Sequence, residues 1–222
     1  MYQLVVFDWD GTLMDSTLKI ANCICDSADE VGLPRPSIAK AKSIIGLGLV
    51  ECMNTLFPEA SDDHKLKMIE RYKFNFVKGD QTQQSLFDGI IEGLERLDRT
   101  GVLLAVATGK SRVGLERALA LTDTKHRFVV TRCADETRSK PHPQMLNEIL
   151  DFTAIDASKV IMVGDTSYDL DMASNAGVAG LGVSYGAHDE ATLLKSNTTA
   201  IVHSPNEMIE WLLEGRVEKA YV

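Results

Sequence analysis

The chain has 222 residues, 45% hydrophobic and 25% charged, values of a globular protein with one large core or one domain plus a modest insertion. Its formal net charge of -9 argues against a nucleic-acid partner, because phosphate backbones are bound through clustered Lys and Arg and no basic run is present. No apolar run approaches the ~18 residues of a membrane span, and the N-terminus shows no charged leader or cleavage site, so no membrane partner and a cytoplasmic location are expected.

In chain order, Leu4, Val5, Val6 and Phe7 form a short continuous apolar run, the pattern of a strand buried on both faces. Gly11 and Thr12 break it. From residue 15 to about residue 86 the pattern reads as helical, without strands. Leu18, Ala21, Cys25 and Ala28 recur at three and four residues and predict one amphipathic helix, closed by Gly32 and the prolines at 34 and 36. Ser37 is the expected N-cap of the next helix. Residues 44–57 form a glycine-interrupted apolar stretch, and residues 61–77 predict a helix with Leu66, Ile69, Tyr72 and Phe76 on one stripe. The polar segment 79–85 reads as a hinge or linker.

From Asp88 the sequence alternates: DGIIEGLERLDRTG as helix, VLLAVA as strand, SRVGLERALAL as helix, RFVVT as strand, PQMLNEILDF as helix and KVIMVG as strand. VAGLGV and AIV are further strands, with a helix near residues 189–195 between them and a last helix at Pro205–Leu213. This βαβ rhythm predicts a mainly parallel sheet covered on both faces, with ligands beyond the carboxyl ends of its strands. Residues 214–222 carry no readable signal.

Cys23, Cys25, Cys52 and Cys133 show no zinc or CxxC spacing and read as buried free thiols. His64, His126, His188 and His203 lie in polar surroundings and read as solvent-facing, and His142 as a spacing residue.

Asp8 and Asp10 stand where the first strand ends and a glycine turn begins. Two such close carboxylates repel each other and lose solvation, so they need a shared proton or a cation, and oxygen-only ligands suit magnesium better than zinc. The stretch FDWDGTLMDS resembles the first motif of the haloacid dehalogenase superfamily, DxDGTxxDS. Three further motifs follow in that family's order: ATGK at residues 107–110, KPHP at 140–143 and GDTSYD at 164–169.

The resemblance, which runs to about residue 213, implies a Rossmann-like, mainly parallel α/β core of residues 1–14 and 86–222. It places an inserted α-helical cap domain at residues 15–85, as in the phosphoglycolate phosphatase-like branch. It implies a magnesium-dependent phosphatase acting on a small phosphorylated metabolite, phosphoglycolate-like or a sugar phosphate, through an aspartyl-phosphate. Asp8 would be the nucleophile and Asp10 the acid/base residue. The metal would be held by Asp8, the backbone carbonyl of Asp10 and Asp165, with Asp169 in support or, alternatively, only offsetting its helix dipole. Thr108, Gly109 and Lys140 would hold the phosphate, although many relatives carry asparagine in place of Gly109.

Other readings are weighed on the same residues. A phosphomutase shares the core motifs, and product analysis separates the two. Dehalogenation dispenses with the metal that Asp10 and Asp165 imply. A relative that cleaves carbon–phosphorus bonds uses a cap lysine, for which Lys19, Lys40 and Lys42 qualify, but has alanine in place of Asp10. A phosphorylation-switched receiver module lacks the helical insertion and the DxDGT context, and a pure binding protein gives no reason to keep both Asp8 and Asp10.

Overall fold

The computed structural model describes residues 1–79, 84–214 and 216–220. Its main sheet has six strands: β1 (Leu4–Phe7), β4 (Leu103–Thr108), β5 (Val130–Cys133), β6 (Val160–Gly164), β7 (Ala179–Val183) and β8 (Ala200–Val202). They run parallel in the order β5-β4-β1-β6-β7-β8, so all six carboxyl ends lie along one edge. The chain winds outward from β1 to β5, then returns and winds the other way from β6. Topology reverses at β1, where open parallel sheets form their ligand crevice.

Alternation along β1 divides the core. Val5 and Phe7 join one apolar cluster with Leu94 and Leu97 of α5 (Ile90–Thr100), Leu115 of α6 (Arg112–Thr122) and Met208 of α10 (Pro205–Leu213). Leu4 and Val6 join the opposite cluster with Met145 and Ile149 of α7 (Gln144–Thr153) and Met172 of α8 (Ser167–Asn175). Successive strand side chains point to opposite faces, and an apolar residue at each position lets both layers form. A short α9 (Glu190–Leu193), capped by Asp189, connects the last two strands.

Between β1 and β4 lies a helical insertion: α1 (Thr17–Glu30), α2 (Ile38–Lys42), α3 (Leu49–Leu56), α4 (Asp62–Phe74) and a π-helical turn at Asn75–Gly79. It has its own apolar cluster, centred on Ile24, Met53, Met68 and Phe76. Ser37 caps α2 by accepting the Lys40 N–H, and Gly32, at φ +74°, ends the first helical segment as expected.

Several expectations need correction. Leu18 and Leu66 are 53% and 61% exposed. The buried stripe of α1 runs through Ile20, Ala21, Ile24, Cys25 and Ala28 instead, and burial in α4 begins only at Met68. The strand expected at RFVVT begins later, at Val130, because Lys125–Arg127 forms a 3₁₀ turn. Residues 15–86 are not free of strands either: β2 (Met14–Asp15) pairs antiparallel with β3 (Ser85–Leu86), joining the two crossings into the insertion. Two-residue strands are too short to leave a period-two pattern. Of the hinge read at 79–85, residues 80–83 lie outside the described residues.

Of the unread C-terminal segment, residues 216–220 have a defined place. The Tyr2 N–H donates to the Arg216 carbonyl at 2.6 Å, and the Glu218 N–H donates to the Tyr2 carbonyl at 2.8 Å. All four cysteines are buried and none is in a disulfide. Among the described residues, no helix is long and apolar enough to cross a membrane.

Candidate active site

In β1, Phe7 pairs with Val106 of β4 on one side and Val163 of β6 on the other, so the residues just past these strands share one level. Asp8 and Asp10 follow β1, Thr108 ends β4 with Gly109 next, and Asp165 follows β6. Thr166 opens α8, whose first turn contains Asp169. Lys140 arrives from the loop after β5. The structure therefore brings together all seven site residues picked out in the sequence.

Asp8, Asp165 and Asp169 are buried, with carboxylate oxygens within 4.8 Å of one another. Lys140 Nζ lies 2.9 Å from Asp8 and 2.6 Å from Asp169. The other partners orient the acids. Thr12 donates its hydroxyl to Asp165 at 2.9 Å and the Ala187 N–H donates to the same carboxylate at 2.7 Å. Thr166 donates both its N–H and its hydroxyl to Asp169, at 3.1 and 2.6 Å. Asp169 is thus a helix-capping acid and a partner of Lys140 at once. Gly11, at φ +89°, packs so close to Asp165 that any Cβ there would strike its carboxylate.

Three buried carboxylates face one ammonium, which leaves two negative charges without protein compensation. Both oxygens of Asp8 are sealed from solvent; Oδ1 meets the Lys140 ammonium at 2.9 Å, and Oδ2 has no hydrogen-bond partner among the described residues. Burial pushes the Asp8 carboxyl up to about 7, with Lys140 opposing and the charges of Asp169 and Asp10 adding. Burial, then Asp8 and Asp169, hold Asp165 well above the usual carboxylate range. Lys140 is pulled down by burial but raised on balance by Asp169 and Asp8, so it stays charged. An all-oxygen cluster with this excess charge fits a divalent cation of the hard type, which would hold the acids ionised.

Asp10 belongs to a second group. Lys110 Nζ donates to both its oxygens at 3.0 and 2.8 Å, and the Ser16 hydroxyl donates at 2.7 Å. The same ammonium sits 4.9 Å from the Phe76 ring centre, on the insertion. Lys110 was legible only as part of ATGK, and nothing in its spacing names Asp10 as its partner. The Thr108 hydroxyl accepts the Lys110 N–H at 3.2 Å. Gly109 lies under the insertion: a Cβ there would strike the backbone of Gly46 and Leu47. Those two residues crowd the position from which an asparagine side chain would start.

His188 overturns its surface expectation. It is buried, and its Nδ1 accepts the Ser167 N–H at 3.1 Å. That bond leaves the proton on Nε2, which lies 3.1 Å from the Ser43 carbonyl of the insertion. Tyr168 donates its hydroxyl to the same carbonyl at 3.0 Å. His64, His126 and His203 are exposed as expected.

Fold and site together define an α/β protein with an acidic centre at the topological switch of a parallel sheet. The haloacid dehalogenase-like hydrolase model matches residues 5–183, and the chain belongs to that family. It is 30% identical over 213 residues to a probable phosphatase, IndB, of Dickeya dadantii, covering 94% of this chain and 93% of that one. A phosphoglycolate phosphatase of Vibrio parahaemolyticus is 28% identical over 217 residues, covering 94% and 95% respectively. The crystal structure of a predicted phosphatase from Clostridium acetobutylicum superposes with a TM-score of 0.86 at 24% identity, covering 96% of this chain and 99% of that one.

Proposed function

We propose that the chain is a cytoplasmic, magnesium-dependent phosphatase that hydrolyses a small phosphate monoester through an aspartyl-phosphate on Asp8. The observation that carries the reading is the Asp8 carboxylate. It is buried at the end of the central strand, lies on the cavity lining and is charge-paired with Lys140 through Oδ1 at 2.9 Å, while Oδ2 has no hydrogen-bond partner among the described residues. Family membership and the phosphatases among its relatives support the same class. Four cysteines without a disulfide among them suit a reducing compartment.

In this reading an oxygen of Asp8 attacks phosphorus in line, the phosphorus–ester oxygen bond breaks, and Asp10 gives the leaving oxygen its proton. Asp10 then takes a proton from water as that water attacks the phosphoryl group, releasing phosphate and restoring Asp8. Ser16 orients Asp10, and Lys110, which donates to both its oxygens, must let go of one of them before Asp10 carries the proton it gives to the leaving oxygen. Thr108, Gly109 and Lys140 bind the phosphoryl oxygens. Magnesium, held by Asp8, the Asp10 carbonyl, Asp165 and, in support, Asp169, would supply charge neutralisation on those oxygens. Residues 15–85 act as a cap domain over a core of residues 1–14 and 86–222.

Phosphate release from p-nitrophenyl phosphate tests the reading. Turnover should require magnesium and stop on chelation, and Asp8→Asn should lower it by at least about 10³-fold. Mass spectrometry of the quenched wild type should find the phosphoryl group on Asp8. Turnover that survives either chelation or the substitution would remove the corresponding assignment.

A further inference from the structure

A cavity of about 380 Å³ lies between the acidic centre and the insertion. Its floor is the reacting end, with Asp8, Asp10, Thr108 and Gly109. Its roof comes from the insertion and is apolar, formed by residues such as Ile20, Ile24, Ile45, Met53 and Phe76. Tyr72 adds a hydroxyl that burial, and then the Asp10 charge, keep protonated, so it is a neutral hydrogen-bonding group. Among the described residues, the lining cations are Lys110, which is paired with Asp10, and Lys73 and Arg117, which are exposed to solvent.

With the phosphate on the floor, the rest of the substrate must lie against this roof. A leaving group that is short and carries its own carboxylate would press that charge on isoleucine and methionine side chains and lose solvation, and the Lys110 ammonium could meet it only by giving up Asp10. An apolar body gains instead, because each buried methylene favours binding by about fourfold. The volume points the same way, since cavities of about 300–1,000 Å³ bury ligands of drug size.

Resting on the phosphatase reading above, we propose that the substrate is a phosphate monoester whose leaving alcohol carries a bulky apolar or aromatic body and no second anionic group beside the phosphate. This separates the chain from relatives named for phosphoglycolate. Alkyl phosphates test it, because their leaving groups differ little in acidity and only the buried length changes along the series. Measured with magnesium by phosphate release, kcat/KM should rise by about two- to fourfold per methylene from ethyl to hexyl phosphate. Hexyl and benzyl phosphate should both exceed phosphoglycolate by about 10²-fold or more. Met53→Gln, which keeps the side-chain length and makes the roof polar, should flatten the slope. A flat series in the wild type, or a preference for phosphoglycolate while p-nitrophenyl phosphate is still turned over, would overturn the substrate class and leave the phosphatase reading standing. If no ester, p-nitrophenyl phosphate included, were hydrolysed and Asp8 were never phosphorylated, both would fall.

Discussion

The floor of the cavity is held by charge and directed hydrogen bonds, whereas its roof is held by apolar packing. Beneath the floor, Asp165 has donors from Thr12 and Ala187, Asp169 has two from Thr166, and Lys140 spans Asp169 and the floor residue Asp8. Each contact is directional, and all but the two from Thr166 bind residues far apart in sequence. On the roof, Ile24, Met53 and Phe76 need only fill space together. The two regions meet through a few polar ties, with Tyr168 and His188 on the Ser43 carbonyl and the Gly48 N–H donating to Ser139 at 2.8 Å. An apolar surface exchanges side chains of similar volume at small cost, but a buried charge cluster that loses one member leaves the others uncompensated. Chemistry is therefore fixed on the floor, and selectivity is adjustable on the roof.

The sharpest way to break this contrast is Lys140→Ala. Leaving Asp8 and Asp169 buried without their ammonium should cost about 3–5 kcal/mol of stability, measured by urea unfolding without magnesium. A loss under about 1 kcal/mol, the size of a surface ion pair, would mean that the floor is not held by charge.

The next effect is on pH. The folded-state pKa of Asp8 is pushed up to about 7, above its unfolded value of about 3.9. Between those values the folded chain holds a proton that the unfolded chain has released. The associated stability is present in full below the unfolded pKa and is lost as pH rises through the folded one, at up to about 1.4 kcal/mol per pH unit. Asp165 is shifted in the same direction. Metal-free protein should therefore melt at a lower temperature at about pH 8 than at about pH 5.5. Excess magnesium, which favours the ionised acids, should narrow the gap, and Asp8→Asn should reduce it. Equal melting temperatures with and without magnesium at both pH values would contradict the cation assignment.

The smallest effect concerns the seam between floor and roof. Gly109→Ala puts a methyl group against the Gly46 backbone, which cannot turn aside as a side chain could. The cost should be about 1–3 kcal/mol of stability by thermal unfolding, with a raised KM for esters. If stability and KM both stayed at wild-type values, the close approach of insertion and core at Gly109 would not be a constraint in solution.

Local chemistry determined much of this protein from the sequence alone. The buried runs at Leu4–Phe7 and Val160–Gly164, the Ser37 cap and the helix beginning after Thr166 were legible, and the motifs of the family resemblance picked out Asp8, Asp10, Thr108, Gly109, Lys140, Asp165 and Asp169, which the fold gathers at one end of the sheet. Each rests on a period, a turn residue or a motif contained within a few positions. Tertiary structure decided what depends on partners far along the chain: Lys110 on Asp10, His188 beneath Ser43, the β2–β3 ribbon, and the C-terminal segment beside Tyr2. It also decided that Leu18 and Leu66 face water, because a helical stripe says which residues share a side and not how far the neighbouring helices cover it. The apolar roof belongs to this second kind. Its residues could equally have packed only against one another, and whether they do so or face a cavity depends on how the helices close over the sheet.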